Sequence, residues 1–193
     1  LLDGGVHGLF MLGTTSECVF LDAAQRAAVL EIALDEARGR VPVVAGVMDA
    51  TTDHCIAHAR QAQALGVAGL VLTAPYYTRT SQGEIVDHFA YVRDAAGLPV
   101  IAYDIPVCVH VKLERATVAE LRRKRIACGL KDSSGDDGNL RMVLHDRADD
   151  GEASVMDTVA AETMLNEHLH AQLNLLALSP RDLTLARAIV ESL

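Results

Sequence analysis

Short apolar runs alternate regularly with longer amphipathic stretches along this sequence. Apolar runs begin near positions 8, 41, 68, 99 and 126, so a strand and a helix recur about every 30 residues. Because these runs are continuously apolar, both faces of each strand are expected to be buried, as in a parallel sheet covered by helices. Such a chain folds either into an open doubly wound sheet or into a closed barrel.

The predicted elements follow from the apolar spacing and from the glycines that end the helices. Strands are predicted at residues 8–12, 41–47, 68–73, 99–103 and 126–130, and helices at 22–38, 52–65, 81–96 and 114–124. Ser81 and Glu84 have the spacing of a capping box at the start of the third helix. Beyond Leu144 we predict a charged loop at 145–152, a strand at 153–156, and helices at 159–173 and 180–193.

The phosphate-binding motifs of open sheets do not occur in this sequence. Neither Gly-x-Gly-x-x-Gly nor Gly-x-x-x-x-Gly-Lys-Ser/Thr follows any predicted strand, which favours the (β/α)8 TIM barrel. We expect residues 1–158 to form the barrel portion and residues 159–193 to form C-terminal helices. Eight strands usually need about 250 residues. We therefore expect this sequence to be incomplete, with segments absent before Leu1 and between about Met156 and His170.

The charge and the hydropathy of the chain limit its partners. A formal charge of -9 and a pI near 5.3 argue against nucleic acid and against an anionic membrane, because both require a basic face. No apolar run approaches the roughly 18 residues of a spanning helix, and the first residues lack the features of a signal peptide. A cytoplasmic location is the resulting expectation. The four cysteines lack Cys-x-x-Cys spacing and are expected to be reduced.

A lysine at the end of the fifth predicted strand is the first candidate for chemistry. Lys131 follows the apolar run 126–130 and is followed by small polar residues. A buried ammonium is costly unless it is paired, and burial favours the neutral amine, which is the form that attacks a carbonyl carbon. Lys131 is therefore a candidate Schiff-base nucleophile, and a solvated pair with Asp132 is the alternative interpretation.

Other strand ends carry groups that would complete this chemistry, because reactive side chains of parallel barrels gather at the carboxyl ends of the strands. Thr14 and Thr15 follow the first strand and offer hydroxyls and backbone N–H groups to a carboxylate. Tyr103 ends the fourth strand and could move a proton. Half-buried phenols and a helix-entry cap are the structural alternatives. His54 and His58, one helical turn apart, are more typical of a solvated helix face than of a metal site.

Four motifs in order resemble the dihydrodipicolinate synthase and N-acetylneuraminate lyase family. They are Gly13-Thr14-Thr15-Ser16-Glu17, Pro75-Tyr76-Tyr77, Tyr103-Asp104-Ile105-Pro106 and Gly129-Leu130-Lys131-Asp132-Ser133-Ser134-Gly135-Asp136. The resemblance covers about residues 1–144 and returns faintly at 175–193. It implies a (β/α)8 barrel with a C-terminal helical extension, a homo-oligomer (dimer or tetramer), and a class I aldolase that needs no metal or organic cofactor.

The resemblance also implies a role for each candidate residue. Lys131 would form the imine with pyruvate, and Tyr103 would protonate and deprotonate the bound intermediates. Thr14 would relay protons to Tyr103, and Thr15 with its neighbouring backbone N–H groups would hold the pyruvate carboxylate. Tyr77 would be lent across a dimer interface to complete the relay. The small-molecule partners implied are a 2-keto acid and an aldehyde.

Several departures from the family pattern concern how the two substrates would be held. Cys108 stands where the synthase branch has an arginine that grips the second substrate's carboxylate, and Val111-Lys112-Leu113 resembles the sugar-acid lyase branch. Two other motifs, Pro75-Tyr76-Tyr77 and Lys131-Asp132-Ser133-Ser134, resemble the synthase branch instead. Ser16 replaces a glycine, so a positive φ there would cost of order 1 kcal/mol. We therefore expect a carbon–carbon lyase or aldolase of sugar-acid type. The alternatives are 4-hydroxy-tetrahydrodipicolinate synthase, which condenses pyruvate with aspartate semialdehyde, and a non-catalytic barrel that binds a keto acid.

Overall fold

Five parallel strands form one sheet in a computed structural model of the chain. The structure describes residues 1–149, with side chains as far as Val143. The strands are β1 (Leu9–Met11), β2 (Val43–Gly46), β3 (Gly69–Leu72), β4 (Val100–Asp104) and β5 (Gly129–Asp132). They lie in the order β1-β2-β3-β4-β5, and each neighbouring pair is parallel. Because the order never reverses, the sheet winds in one direction, as in a barrel and unlike a doubly wound sheet.

Helices connect the strands and carry the predicted start and stop signals. They are α1 (Ala23–Ala37), α2 (Thr52–Leu65), α3 (Gln82–Ala96), α4 (Pro106–Val109), α5 (Arg115–Arg123) and α6 (Asp137–Asp149). The capping box of Ser81 and Glu84 is present at the start of α3. Gly66 and Gly97 follow α2 and α3 in the left-handed conformation, with φ of 92° and 65°. Short 3₁₀ turns occupy Leu2–Gly4, Thr14–Ser16 and Cys18–Phe20.

Two helical segments differ from the sequence-based expectation. The four-residue helix α4 was not predicted, and α6 covers residues 145–149, where the charge density predicted a loop. The Asp136 carboxylate accepts a hydrogen bond from the backbone N–H of Asn139 at 3.0 Å, which stabilises the start of α6. Because residues 145–149 contain neither proline nor glycine, nothing in them ends the helix. The elements predicted beyond residue 149 and the boundary at 158/159 lie outside the described residues.

Burial is deepest in the middle of the sheet and decreases towards β5. All four residues of β3 are buried, and side chains from β3, β4, α2 and α3 form the main apolar core, which includes Leu70, Leu72 and Phe89. All four residues of β5 are only half-buried, since in the described part of the chain this strand pairs with β4 alone. Lys131 therefore lies within a half-buried strand and not, as predicted, just beyond a fully buried one.

The helices of the described region are all too short or too polar to cross a membrane. The four cysteines, Cys18, Cys55, Cys108 and Cys128, are free thiols. The described residues belong to the first of two compact units, Leu1–Asp150.

Candidate active site

The register between the last two strands places a phenol beside a lysine. Tyr103 of β4 is paired with Lys131 of β5. The Nζ atom of Lys131 lies 3.8 Å from the centroid of the Tyr103 ring. A cation this close to the face of a phenol is attracted by the electron density of the ring, which holds the lysine over the tyrosine. The two residues with the most specific predicted roles are thus in direct contact.

The environment of Tyr103 perturbs the acidity of its hydroxyl group. The residue is 5 % exposed, and the Phe10 ring packs edge-on against it at a centroid distance of 6.2 Å. Burial alone would raise the pKa of the Tyr103 phenol. Hydrogen bonds with Thr14, Lys131 and Ser133, together with the positive charge of Lys131, outweigh burial and lower that pKa below its ordinary value. A phenol that ionises more readily is better suited to exchange protons near neutral pH.

The loop after β1 brings Thr14 to this phenol. A Cβ atom at position 46 would collide with the carbonyl oxygen of Leu12, so Gly46 allows the backbone of this loop to lie close to β2. Leu12 and Glu17 have left-handed φ values of 58° and 53°, whereas Ser16 does not. The glycine replaced by Ser16 is therefore not needed for a positive φ, and the strain lies at the two ends of the loop.

Thr15 lies next to Thr14 in the same 3₁₀ turn, Thr14–Ser16. Its residue surface is exposed, and it is not among the groups that act on the Tyr103 phenol. This position leaves its hydroxyl and the neighbouring backbone available to a small anion, so its predicted role in holding a carboxylate stays a prediction.

Ser133 is a site residue to which the sequence analysis gave no role. Its Oγ accepts a hydrogen bond of 2.8 Å from Lys131 Nζ, and it also interacts with the Tyr103 hydroxyl. The available signal was spacing, because residues two apart at a strand end point to the same side of the sheet. Lys131, Tyr103, Thr14 and Ser133 therefore form one contiguous polar cluster.

Tyr77 is not part of this cluster. It lies in the loop after β3, is 92 % exposed and has a φ of 82°. An aromatic residue in this region is strained by roughly 1–3 kcal/mol, and such strain is more common at functional positions. A large exposed ring on a strained backbone is compatible with a role at a subunit interface, which stays a prediction.

The two histidines considered as metal ligands share a carboxylate instead. His54 Nδ1 lies 3.2 Å from Asp49 Oδ1, and His58 Nε2 lies 3.1 Å from Asp49 Oδ2. Burial would raise the pKa of Asp49, but hydrogen bonds from His58, the Ala50 N–H and His54 lower it. Within residues 1–149, no group of three or more His, Cys, Asp or Glu side chains is arranged to hold a metal ion.

Comparisons with known proteins identify the family of the chain. A family model described as the dihydrodipicolinate synthetase family matches residues 1–160. The 4-hydroxy-tetrahydrodipicolinate synthase of Macrococcus caseolyticus is 38 % identical over 136 residues, which is 70 % of this chain and 46 % of the relative. The enzyme of the same name from Stenotrophomonas maltophilia (strain K279a) is 35 % identical over 143 residues, or 74 % of this chain and 48 % of the relative. The chain spans about half the length of the curated relatives it matches.

Two solved structures share the fold. YagE, a prophage protein of the dihydrodipicolinic acid synthase family from E. coli K12 solved in complex with pyruvate, is 30 % identical with a TM-score of 0.73. The match covers 90 % of this chain and 57 % of that protein. Dihydrodipicolinate synthase DapA-2 from Bacillus anthracis is 28 % identical with a TM-score of 0.72, covering 75 % of this chain and 49 % of its own.

Proposed function

Because the chain belongs to the dihydrodipicolinate synthetase family, we propose that the protein is a class I aldolase whose Lys131 forms a Schiff base with pyruvate or a related 2-keto acid. The observation that carries the proposal is the contact of Lys131 with Tyr103, at 3.8 Å from the ring centroid. The pyruvate complex of the related YagE protein supports the choice of keto acid.

The proposed reaction begins when the Lys131 ammonium loses a proton to water, and the neutral amine then adds to C2 of pyruvate. The C2 oxygen takes up two protons, one of them from the attacking amine, and leaves as water, which gives a protonated imine. Loss of a proton from C3 forms an enamine, and its C3 adds to the carbonyl carbon of an aldehyde, whose oxygen takes up a proton. Water then adds to C2 and releases the product and the free amine. The imine nitrogen takes up the electron pair during these steps, so the proposed reaction requires no metal or organic cofactor.

The polar cluster supplies the proton transfers that this sequence requires. Tyr103 lies against Lys131 and has a lowered pKa, so we propose that it donates the proton to the departing oxygen and accepts the proton from C3. Thr14 interacts with the same hydroxyl and would pass protons to and from it. Thr15 and the backbone N–H groups of its turn would hold the carboxylate of pyruvate.

Two aldehydes are candidates for the second substrate. The curated relatives are named 4-hydroxy-tetrahydrodipicolinate synthase, which favours aspartate semialdehyde over the sugar-acid type. Cys108 opposes this choice because a thiol cannot make the two parallel hydrogen bonds of a guanidinium to a carboxylate. The sugar-derived aldehyde therefore remains the second candidate. Assembly into a dimer or tetramer belongs to the same proposal, since the exposed Tyr77 would act from a neighbouring subunit.

Reductive trapping tests the covalent step. The protein is incubated with pyruvate and borohydride, and the adduct is located by mass spectrometry of peptides. We expect one reduced pyruvyl group, on Lys131, and none in a Lys131→Arg variant. Lys124→Arg is the matched control, because Lys124 pairs with Glu120 on α5 at 2.8 Å, apart from the cluster, and should be labelled like the wild type. A wild-type protein that forms no adduct contradicts the proposal.

A parallel assay of aldehydes separates the remaining functions. Turnover with aspartate semialdehyde supports the synthase, and turnover with a sugar-derived aldehyde supports the sugar-acid type. An adduct on Lys131 without turnover of any aldehyde supports a protein that only binds keto acids.

A further inference from the structure

We propose that Lys112 is a positioning residue that holds Lys131 over the Tyr103 ring, by joining the end of β4 to the loop that follows β5. The role in catalysis rests on the proposed function, whereas the structural link itself does not. Lys112 lies before α5, and its Nζ atom contacts groups from both segments.

The first contact of Lys112 is with the residue that follows Tyr103 in the chain. Asp104 is 2 % exposed, and its Oδ2 accepts a hydrogen bond of 3.1 Å from Lys112 Nζ. The other carboxylate oxygen accepts a bond of 3.1 Å from the backbone N–H of Leu113. A buried carboxylate with both oxygens occupied is a fixed anchor, because any displacement leaves a charge without partners. Lys112 is thus tied firmly to β4.

The second contact of Lys112 is with the loop after β5. Its Nζ donates to Ser134 Oγ at 2.7 Å and lies 3.8 Å from Asp136 Oδ2. The Ser134 hydroxyl also accepts a hydrogen bond of 3.2 Å from the backbone N–H of Asp136. One ammonium therefore bridges a buried anchor in β4 and the turn that precedes α6.

This bridge lies one residue away from the group that binds the reactive lysine. Ser133 accepts the hydrogen bond of Lys131, and its backbone N–H donates to the Asp104 carbonyl at 2.8 Å. Moving Ser134 would move Ser133 and, through it, the Lys131 amine. Because the residues of β5 are only half-buried, apolar packing fixes this strand less firmly than β3. The polar bridge supplies the missing constraint.

A simpler explanation is that Lys112 only neutralises the buried charge of Asp104. The two explanations differ for variants that remove the charge pair or only the Ser134 contact. The double variant Asp104→Asn/Lys112→Met leaves no buried charge without a partner, but it also removes the bridge. Ser134→Ala removes the hydrogen bond from Lys112 to the loop and leaves its ion pairs with Asp104 and Asp136 in place.

The experiment measures the rate of pyruvate trapping by borohydride, the thermal midpoint of unfolding, and hydrogen exchange of the peptide that contains Ser133. We expect Lys112→Met to lower both the midpoint and the trapping rate, the rate by about tenfold or more. The double variant should regain the midpoint but not the rate. Ser134→Ala should slow trapping severalfold with a nearly unchanged midpoint, and hydrogen exchange should be faster than in the wild type in all three variants.

Lys124→Met is the matched control, because it removes an ion pair of similar length, 2.8 Å to Glu120, on α5. It should leave trapping and exchange unchanged. Recovery of the trapping rate in the double variant, or a normal rate in Ser134→Ala, would overturn the proposal. If the wild type forms no adduct, the proposed function fails, and the exchange measurement still decides the structural link. If hydrogen exchange of the Ser133 peptide is unchanged in Lys112→Met and Ser134→Ala, the proposed structural link is wrong.

Discussion

Tyr103 experiences opposing influences on its ionisation. Burial favours the neutral phenol, whereas hydrogen bonds with Thr14, Lys131 and Ser133 and the nearby ammonium favour the phenolate. The hydrogen bonds and the ammonium outweigh burial, so these partners set the acidity of Tyr103. The acidity of Tyr103 therefore depends on the Thr14 and Ser133 hydroxyl groups and the Lys131 ammonium, and not on Tyr103 alone.

Replacing Thr14 with valine should raise the pKa of Tyr103 towards that of an ordinary phenol or beyond. Valine has the shape of threonine but cannot hydrogen-bond the phenolate, so one of the interactions that lower the pKa is lost. The ultraviolet absorbance of tyrosinate, recorded against pH and corrected with the matching Tyr103→Phe protein, reports this pKa. Thr15→Val serves as the control and should leave the titration in place. Identical titrations of wild type and Thr14→Val would show that Thr14 does not act on the phenol.

Helices α2 and α3 are joined through a buried histidine. His88 of α3 is 2 % exposed, and its Nδ1 lies 2.9 Å from Oγ1 of Thr52 at the start of α2. Burial lowers the pKa of His88 from 6.5 to about 4. The unfolded chain therefore binds a proton at a higher pH than the folded chain. The packing of α2 against α3 is therefore expected to weaken in acid.

Folding stability should decline as the pH falls from the ordinary histidine pKa towards 4, because the unfolded state then binds more protons. Lowering the pH from about 7 to about 5 should reduce the free energy of unfolding by about 2 kcal/mol through His88 alone. We expect His88→Gln to remove this part of the pH dependence in denaturant unfolding measured at both pH values. His7→Gln, at an exposed position, is the control and should retain the wild-type dependence. An equal loss of stability in wild type and His88→Gln would contradict the assignment.

Tyr77 lies outside the polar cluster of its own chain. Its ring is 92 % exposed in a loop whose backbone is strained, as φ of 82° indicates. Other large apolar side chains are also exposed at the carboxyl side of the sheet, including Phe20 and Val107. At the scale of the assembly, these positions favour completion of each proposed site by a second copy of the chain.

Co-expression of two inactive variants tests this arrangement. If Tyr77 acts across an interface, Tyr77→Phe and Lys131→Arg should each be impaired, and hybrids should contain one working site. Random pairing in a dimer makes half of the molecules hybrids, so about one quarter of the wild-type activity should return. The pair Tyr103→Phe and Lys131→Arg is the control and should stay inactive, because both residues serve the same chain's site. Failure of the first pair to recover activity would rule out a shared tyrosine.

Local signals in the sequence were sufficient to predict the order and type of most elements. Apolar period, capping residues and helix-ending glycines are local signals, and they predicted five strands, four of the helices and the capping box at Ser81. Charge density predicted a loop at 145–152, where α6 continues as far as Asp149, because charged residues are common in both helices and loops. The reactive groups were also identifiable in the sequence, because Lys131, Tyr103 and Thr14 each follow or end an apolar run.

The contacts between these groups could not be predicted in the same way, because they depend on long-range pairing and packing. The pairing of Tyr103 with Lys131 depends on the register of two strands, and the placement of Thr14 depends on the close approach that Gly46 allows. The bridge from Lys112 to Asp104 and Ser134 joins residues 8 and 22 positions apart. Such contacts are set by the pairing and packing of distant segments, whereas periodicity reports only which face of each segment is apolar.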